Sequence, residues 1–149
     1  MNIAIIGGGN LGKSIAQGLL EYNFDANKIT VTRHKIELLS DLKERGVQIS
    51  NDNIEASQNA QVIIIAVKPY KIAEILQEIN QVVTSDKIIV SVVSDFSITQ
   101  IKEKLNDSPS IIRAMPNTAT SVNESITCLA SNNASSEEMA KITTIFNSL

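Results

Sequence analysis

A glycine-rich segment near the amino terminus constrains the fold of this chain more than any other feature. Residues 7–12 read GGGNLG, follow the apolar run 3–6, and precede a segment with apolar side chains at helical spacing. They match G-x-G-x-x-G, a pattern that is weak alone but specific where it joins a strand to a helix within one β-α-β unit. In that setting Gly7 permits the tight turn, Gly9 the approach of a pyrophosphate, and Gly12 close packing of helix on strand. The sequence therefore predicts a dinucleotide-binding turn, and the alternative is a tight turn without a ligand.

The remainder of the chain alternates short apolar runs with segments of helical period. The apolar runs predict strands at residues 3–6, 28–32, 47–49, 62–67, 87–93, 110–115 and 125–130. Helical spacing and capping signals predict helices that begin near residues 10, 36, 69, 97 and 135. The second of them is predicted over residues 36–45, and the last begins with a capping box of Ser135 and Glu138. This alternation indicates an α/β fold of Rossmann type, a doubly wound, mostly parallel sheet in a three-layer αβα sandwich. We expect residues 1–149 to form one such domain.

Composition narrows the function classes. The chain is 43% hydrophobic but only 3% aromatic, so its core is mainly aliphatic, as suits buried parallel strands. A net charge of -3 argues against a nucleic-acid partner. A single Cys and a single His argue against a disulfide framework and against a metal site that needs several such ligands. The longest apolar run, residues 62–67, is too short to span a bilayer, and no signal-peptide pattern is visible, so we expect a cytoplasmic protein without a membrane partner.

The end of the second predicted strand bears on the choice of cofactor. An NAD-binding unit usually carries an acidic residue there, about twenty residues after the glycines. This chain has Arg33, His34 and Lys35 instead, which favours the 2′-phosphate of NADPH over NADH. The alternative is that the cations solvate a loop. His34 is expected beside a phosphate or adenine, or on the surface, so any catalytic proton must come from another group or from water. Cys128, within an apolar stretch, is expected to be a buried structural thiol.

Three segments together resemble the amino-terminal domain of pyrroline-5-carboxylate reductase. They are IIGGGNLG at residues 5–12, AVKP at 66–69 and RAMPNT at 113–118, and the resemblance runs over the whole chain. The second and third are the specific part, because many dehydrogenases share the glycine turn. The resemblance implies a cytoplasmic enzyme of proline biosynthesis that reduces 1-pyrroline-5-carboxylate to L-proline with NADPH, or less favourably with NADH.

The resemblance also implies roles for residues at matching positions. Most of them would bind the cofactor: Ile6, Gly7, Gly8, Gly9, Asn10, Leu11, Gly12, Arg33, His34, Lys35, Asn53, Ala66, Val67, Lys68 and Pro69. Others would lie on the nicotinamide and substrate side: Met115, Pro116, Asn117 and Thr118, with Lys68 as an electrostatic candidate. Hydride transfer to an iminium requires mainly positioning and exclusion of water, so the lack of a catalytic His is no objection.

Some positions depart from the family pattern. Ser94 and Asp95 stand where the family usually has small residues and a glycine, Ala119 replaces a proline, and Ser125 replaces a glycine. These departures keep open a second hypothesis, a regulatory or sensor relative that binds NADP with little or no activity. A third, a β-hydroxyacid or F420-type reductase, is disfavoured by the segment MPNT.

The resemblance further implies a second, all-helical domain after the cofactor domain. That domain would supply most of the substrate pocket and make the dimer, and we expect residues 1–149 not to include it. The last predicted helix, residues 135–149, carries a start signal and no stop signal. We therefore expect the chain alone to bind NADPH, to be nearly inactive, and to form a homo-oligomer only together with the missing domain.

Overall fold

The structure is a computed structural model that describes residues 1–116 and 126–147. The strands of this part form one seven-stranded sheet in the order β3-β2-β1-β4-β5-β6-β7. Their bounds are β1 Ile3–Ile6, β2 Ile29–Thr32, β3 Gln48–Ser50, β4 Val62–Ile65, β5 Ile88–Ser91, β6 Ser110–Pro116 and β7 Thr127–Ser131. Each neighbouring pair is parallel except β6 with β7. The order of the first six strands is that of a doubly wound dinucleotide-binding sheet, so the predicted fold is confirmed.

Helices cover both faces of the sheet. Their bounds are α1 Asn10–Glu21, α2 Ser40–Glu44, α3 Asn53–Gln58, α4 Ile72–Ile79, α5 Ile98–Lys102 and α6 Ser136–Phe146. Short 3-10 turns occupy Ala26–Lys28, Ile36–Leu39, Pro69–Lys71 and Asn80–Val82. The capping box predicted at Ser135 and Glu138 is present, and it fixes the start of α6.

The sheet separates two hydrophobic cores. Ile5 packs in one core with the buried side chains of α1, α2 and α6. Ile6, the next residue, packs in the other core with those of α3, α4 and α5. This division follows from the strand geometry, because successive side chains point to opposite faces.

A buried lysine lies at the edge of the sheet where the parallel strands begin. Lys87, which precedes β5, is only 8% exposed. Its ammonium donates to the carbonyl oxygens of Ser57 at 3.1 Å, Gln58 at 2.9 Å and Ala60 at 2.6 Å. The lysine therefore caps the carboxyl end of α3, where carbonyls lack partners within the helix. Burial lowers the pKa of this ammonium.

The structure differs from the sequence prediction in several elements. Residues 36–45 were predicted as one helix, but they form a 3-10 turn followed by the short α2, and Leu38 is 45% exposed. Helix α3 was not predicted; the side chain of Asp52 starts it by accepting from the backbone N–H groups of Ile54 and Glu55, both at 2.9 Å. The predicted seventh strand is confirmed at 127–131, and its first predicted residue, Ser125, lies outside the described residues. The last helix ends at Phe146, and residues 148–149 lie outside them too.

The prediction for Cys128 was wrong, because the thiol is exposed. The residue lies on β7, the outermost strand next to β6, and exposed and half-buried side chains alternate along that strand. Its apolar neighbours in sequence therefore did not indicate burial. Among the described residues, no helix is long and apolar enough to cross a membrane.

Candidate functional site

The carboxyl ends of β1, β2 and β4 bring many of the predicted cofactor residues together. A cavity of about 320 Å³ lies there, between the glycine turn, the segment after β2, α3 and α4. Its lining residues are Ile6, Gly7, Thr32, Arg33, His34, Asn51, Asn53, Val67, Lys71, Glu74, Ile75 and Glu78. Ligands of open α/β sheets bind at this edge, at the point where the strand order reverses. Here β1 lies between β2 and β4, so the cavity is at that point.

Each of the three motif glycines of the turn has the geometry expected of it. Gly7 has a φ of +106°, and a Cβ there would lie 2.6 Å from the carbonyl oxygen of Ala66. A Cβ on Gly12 would overlap the carbonyl oxygen of Gly7, so helix α1 and the turn touch only because that side chain is absent. A Cβ on Gly9 would meet no protein atom within 4 Å. The space above Gly9 is therefore open to a ligand.

The start of α1 is suited to an anion. Gly9 is its N-cap and makes no side-chain cap, and the first turn contains no acidic residue. The backbone N–H groups at this helix start have no intrahelical acceptor, and the helix dipole places partial positive charge there. Asn10 and Leu11, both predicted to bind the cofactor, are the first two residues of this helix.

Arg33 lies against the glycine turn. Its Nη1 donates to the carbonyl oxygen of Gly8 at 2.7 Å, and the N–H of Gly8 donates to the carbonyl oxygen of Thr32 at 2.6 Å. The guanidinium thus holds the turn and retains further N–H donors for an anion. His34 is exposed and also lines the cavity, whereas Lys35 is exposed and lies outside its lining.

Asn53 connects three elements of the site. It is the first residue of α3, and its Oδ1 accepts from the hydroxyl of Thr32 at 2.6 Å. Its Nδ2 donates to Glu78 Oε2 at 3.0 Å. The Thr32 hydroxyl in turn accepts from the N–H of Gly7 at 3.3 Å.

Two carboxylates that were not predicted from the sequence also line this cavity. Glu74 and Glu78 reach it from α4, whereas an acid was expected only at the end of the second strand. Glu74 forms an ion pair with Lys71 at 2.7 Å, and this hydrogen bond raises the pKa of the Lys71 ammonium. The spacing of the two acids by one helical turn was the signal that could have indicated a shared side of α4.

The segment after β4 contributes unequally. The N–H of Ala66 donates to the carbonyl oxygen of Ile6 at 2.8 Å and so extends the pairing of β4 with β1. Val67 lines the cavity. Lys68 and Pro69 are exposed at the start of the 3-10 turn and do not belong to the lining.

The residues expected on the nicotinamide side lie farther along the sheet. Met115 and Pro116 end β6, which is separated from β1 by β4 and β5. Asp95, after β5, has a φ of 59°, a left-handed conformation that glycine adopts more readily than other residues. Asn117, Thr118, Ala119 and Ser125 lie outside the described residues.

The chain is similar to a family of NADP oxidoreductases and to pyrroline-5-carboxylate reductases. A family model described as "NADP oxidoreductase coenzyme F420-dependent" matches residues 2–95. Pyrroline-5-carboxylate reductase 2 of Dictyostelium discoideum is 44% identical over 133 residues, which are 87% of this chain and 44% of that protein. Pyrroline-5-carboxylate reductase of Pasteurella multocida is 33% identical over 146 residues, 95% of this chain and 53% of that protein. The structure of a pyrroline-5-carboxylate reductase from Coxiella burnetii matches with a TM-score of 0.94 at 32% identity, covering 99% of this chain and 56% of that one.

The chain belongs to the NADP oxidoreductase family that this model describes. Within that class its similarity is to pyrroline-5-carboxylate reductases, so the resemblance found in the three sequence segments is confirmed. The chain spans about half the length of the curated relatives it matches.

Proposed function

We propose that this chain is the NADP(H)-binding part of an enzyme that reduces 1-pyrroline-5-carboxylate to L-proline. The observation that carries the proposal is the space around the glycine turn. A Cβ on Gly7 would clash with the backbone of Ala66 after β4, and a Cβ on Gly12 would clash with the turn, whereas a Cβ on Gly9 would meet no protein atom. A turn with these properties at the start of a helix fits a pyrophosphate. The family description and the similarity to pyrroline-5-carboxylate reductases support the choice of cofactor and reaction.

The residues of the chain would then bind and orient the dinucleotide. The N–H groups at the start of α1 would hold its pyrophosphate, and Arg33 would hold the 2′-phosphate at the adenosine end. Asn53, Val67 and the neighbouring lining residues would enclose the adenosine. When bound, NADPH supplies the hydride for the reduction. Met115 and Pro116 would lie on the substrate side, as Asn117 and Thr118 would by their place in the motif.

The expected domain organisation is part of the proposal. Residues 1–149 would be the cofactor-binding domain, and a helical domain of the kind expected from the resemblance would complete the substrate pocket and the dimer. The span of about half of each relative supports this organisation. The small-molecule imine as substrate, the homo-oligomer and the cytoplasmic location stay predictions.

A cofactor titration tests the binding proposal. NADPH should bind more tightly than NADH. Arg33→Ala should weaken the binding of NADPH more than that of NADH, because only NADPH carries the 2′-phosphate. The loss should be about 1–3 kcal/mol for a charge-assisted contact. Arg33 also donates a hydrogen bond to Gly8. A loss of affinity common to both cofactors therefore measures the effect on the glycine turn, and the difference between the two losses measures the contact with the 2′-phosphate. Arg45→Ala, an exposed cation at the end of α2, is the matched control and should change neither affinity.

A turnover assay tests the reaction. The chain, joined to the carboxyl-terminal half of the Dictyostelium discoideum relative, should oxidise NADPH when 1-pyrroline-5-carboxylate is added. Absence of turnover with cofactor binding intact would instead favour the NADP-binding sensor. Equal loss of NADPH and NADH affinity in Arg33→Ala would refute the role at the 2′-phosphate.

A further inference from the structure

A directed chain of hydrogen bonds runs from α4 to the glycine turn along the side of the cavity. Glu78 Oε2 accepts from Asn53 Nδ2 at 3.0 Å, and Asn53 Oδ1 accepts from the Thr32 hydroxyl at 2.6 Å. The Thr32 oxygen accepts from the N–H of Gly7 at 3.3 Å. All four residues line the cavity, and Thr32 is only 2% exposed.

The carboxylate of Glu78 sets the direction of this chain. An ionised carboxylate only accepts hydrogen bonds, so it holds the Asn53 amide with Nδ2 toward α4 and Oδ1 toward Thr32. A reversed amide would place Oδ1 against the carboxylate and would leave the Thr32 hydroxyl proton without its acceptor. With the amide fixed, Thr32 presents its lone pairs to the Gly7 N–H, at the residue whose φ of +106° shapes the turn.

We propose that Glu78 is a positioning residue for the dinucleotide site. It acts through Asn53 and Thr32 to hold the glycine turn and the adenosine side of the cavity in the shape that binds the ligand. The inference rests on the proposed NADP(H) binding and adds a residue of α4, outside the three recognised motifs. A site held ready in this way binds more tightly, because less ordering accompanies binding.

The sign of the expected effect separates this role from simple electrostatics. NADPH is a polyanion, so removal of a carboxylate from its cavity should by charge alone tighten binding or leave it unchanged. The positioning role requires the opposite for Glu78. Glu44, an exposed acid at the end of α2 that does not line the cavity, provides the control for removal of a negative charge.

The experiment measures the Kd of NADPH for the full chain by fluorescence titration. Glu78→Ala should weaken binding by about 3- to 10-fold, the range of one ordinary hydrogen bond. Glu78→Gln, whose amide oxygen can still accept from Asn53, should recover most of the affinity, and Glu44→Ala should bind as tightly as the parent. The double variant of Glu78→Ala with Asn53→Ala should be no weaker than Asn53→Ala alone. Unchanged or tighter binding by Glu78→Ala, or equal weakening by Glu44→Ala, overturns the proposal.

A second measurement does not need the ligand. The Gly7 N–H ends the chain of hydrogen bonds, so its NMR chemical shift and its hydrogen exchange rate in the free protein should change in Glu78→Ala and not in Glu44→Ala. A parent protein that binds no dinucleotide would refute the proposed function, while this amide signal would still test the connection from Glu78 to the turn. An unchanged Gly7 amide in Glu78→Ala refutes the connection whatever the protein binds.

Discussion

Substitution of two glycines in the same turn should separate ligand binding from stability. In Gly9→Ala the new methyl group meets no protein atom within 4 Å, and the backbone at φ -77° and ψ -166° suits an alanine. We expect a change in the free energy of unfolding within about 0.5 kcal/mol, as for a surface substitution. The methyl group would nevertheless occupy the space proposed for the pyrophosphate. Overpacking costs about 1–3 kcal/mol, which corresponds to about a 5- to 150-fold loss of NADPH affinity.

Gly12→Ala is the contrasting variant. Its Cβ would overlap the carbonyl oxygen of Gly7, so the turn or α1 must move. The clash is with a backbone oxygen, so the cost should lie in the upper part of the range of about 1–3 kcal/mol for overpacking. That cost exceeds the gain of about 1 kcal/mol from alanine in a helix, so this variant should be less stable. Urea unfolding and NADPH titration of both variants test the reasoning. Parent-like affinity in Gly9→Ala, or parent-like stability in Gly12→Ala, would refute it.

Three further predictions concern other parts of the structure. Lys87→Met should lower the free energy of unfolding in urea by about 2–3 kcal/mol, because carbonyls at the end of α3 lose their hydrogen-bond donor. Lys104→Met, at an exposed lysine, should lower it by less than about 0.5 kcal/mol. Similar losses in the two variants would contradict the capping role of Lys87. Hydrogen bonds from the Ser135 N–H and the Ser110 hydroxyl hold the pKa of the Glu138 carboxyl below its ordinary value. The stability that these bonds contribute is therefore complete above the unfolded-state pKa and is lost as the pH falls through the folded-state pKa. Glu138→Gln should therefore be about 1 kcal/mol less stable than the parent at pH 7 with a smaller gap at pH 3, and a gap independent of pH would exclude the carboxylate as the cause. Asp95→Gly should be at least as stable as the parent. Asp95→Ala should be about 1 kcal/mol less stable, because a φ of 59° is unfavourable for alanine. A higher thermal stability of the alanine variant than of the glycine variant would contradict this prediction.

Strong local patterns made much of the fold predictable. The apolar runs at β1 and β4 are fully buried, as central parallel strands are, and they appear in the sequence without interruption. The glycine turn was predictable because its spacing matches G-x-G-x-x-G, and because Gly7 and Gly12 satisfy local steric requirements. Helix α3 was missed since it has only six residues and contains too few apolar side chains to show a helical period.

Other features depend on contacts between distant segments. Glu78 accepts a hydrogen bond from Asn53, which is 25 residues away in the sequence. The residues near the end of β2 therefore do not indicate this contact. The second predicted helix is short because its first part, with Leu38 exposed, has little apolar surface to bury. Cys128 was misjudged because burial on β7 depends on its place at the edge of the sheet, which the local sequence does not record.

The division of the interior into two cores affects how this domain tolerates change. Ile5 and Ile6 are adjacent in the chain, yet they pack in different cores. Substitutions that share no packing partner add in their effects on stability, so compensating changes should be confined to one side of the sheet. The layer of α1, α2 and α6 and the layer of α3, α4 and α5 can therefore diverge at separate rates.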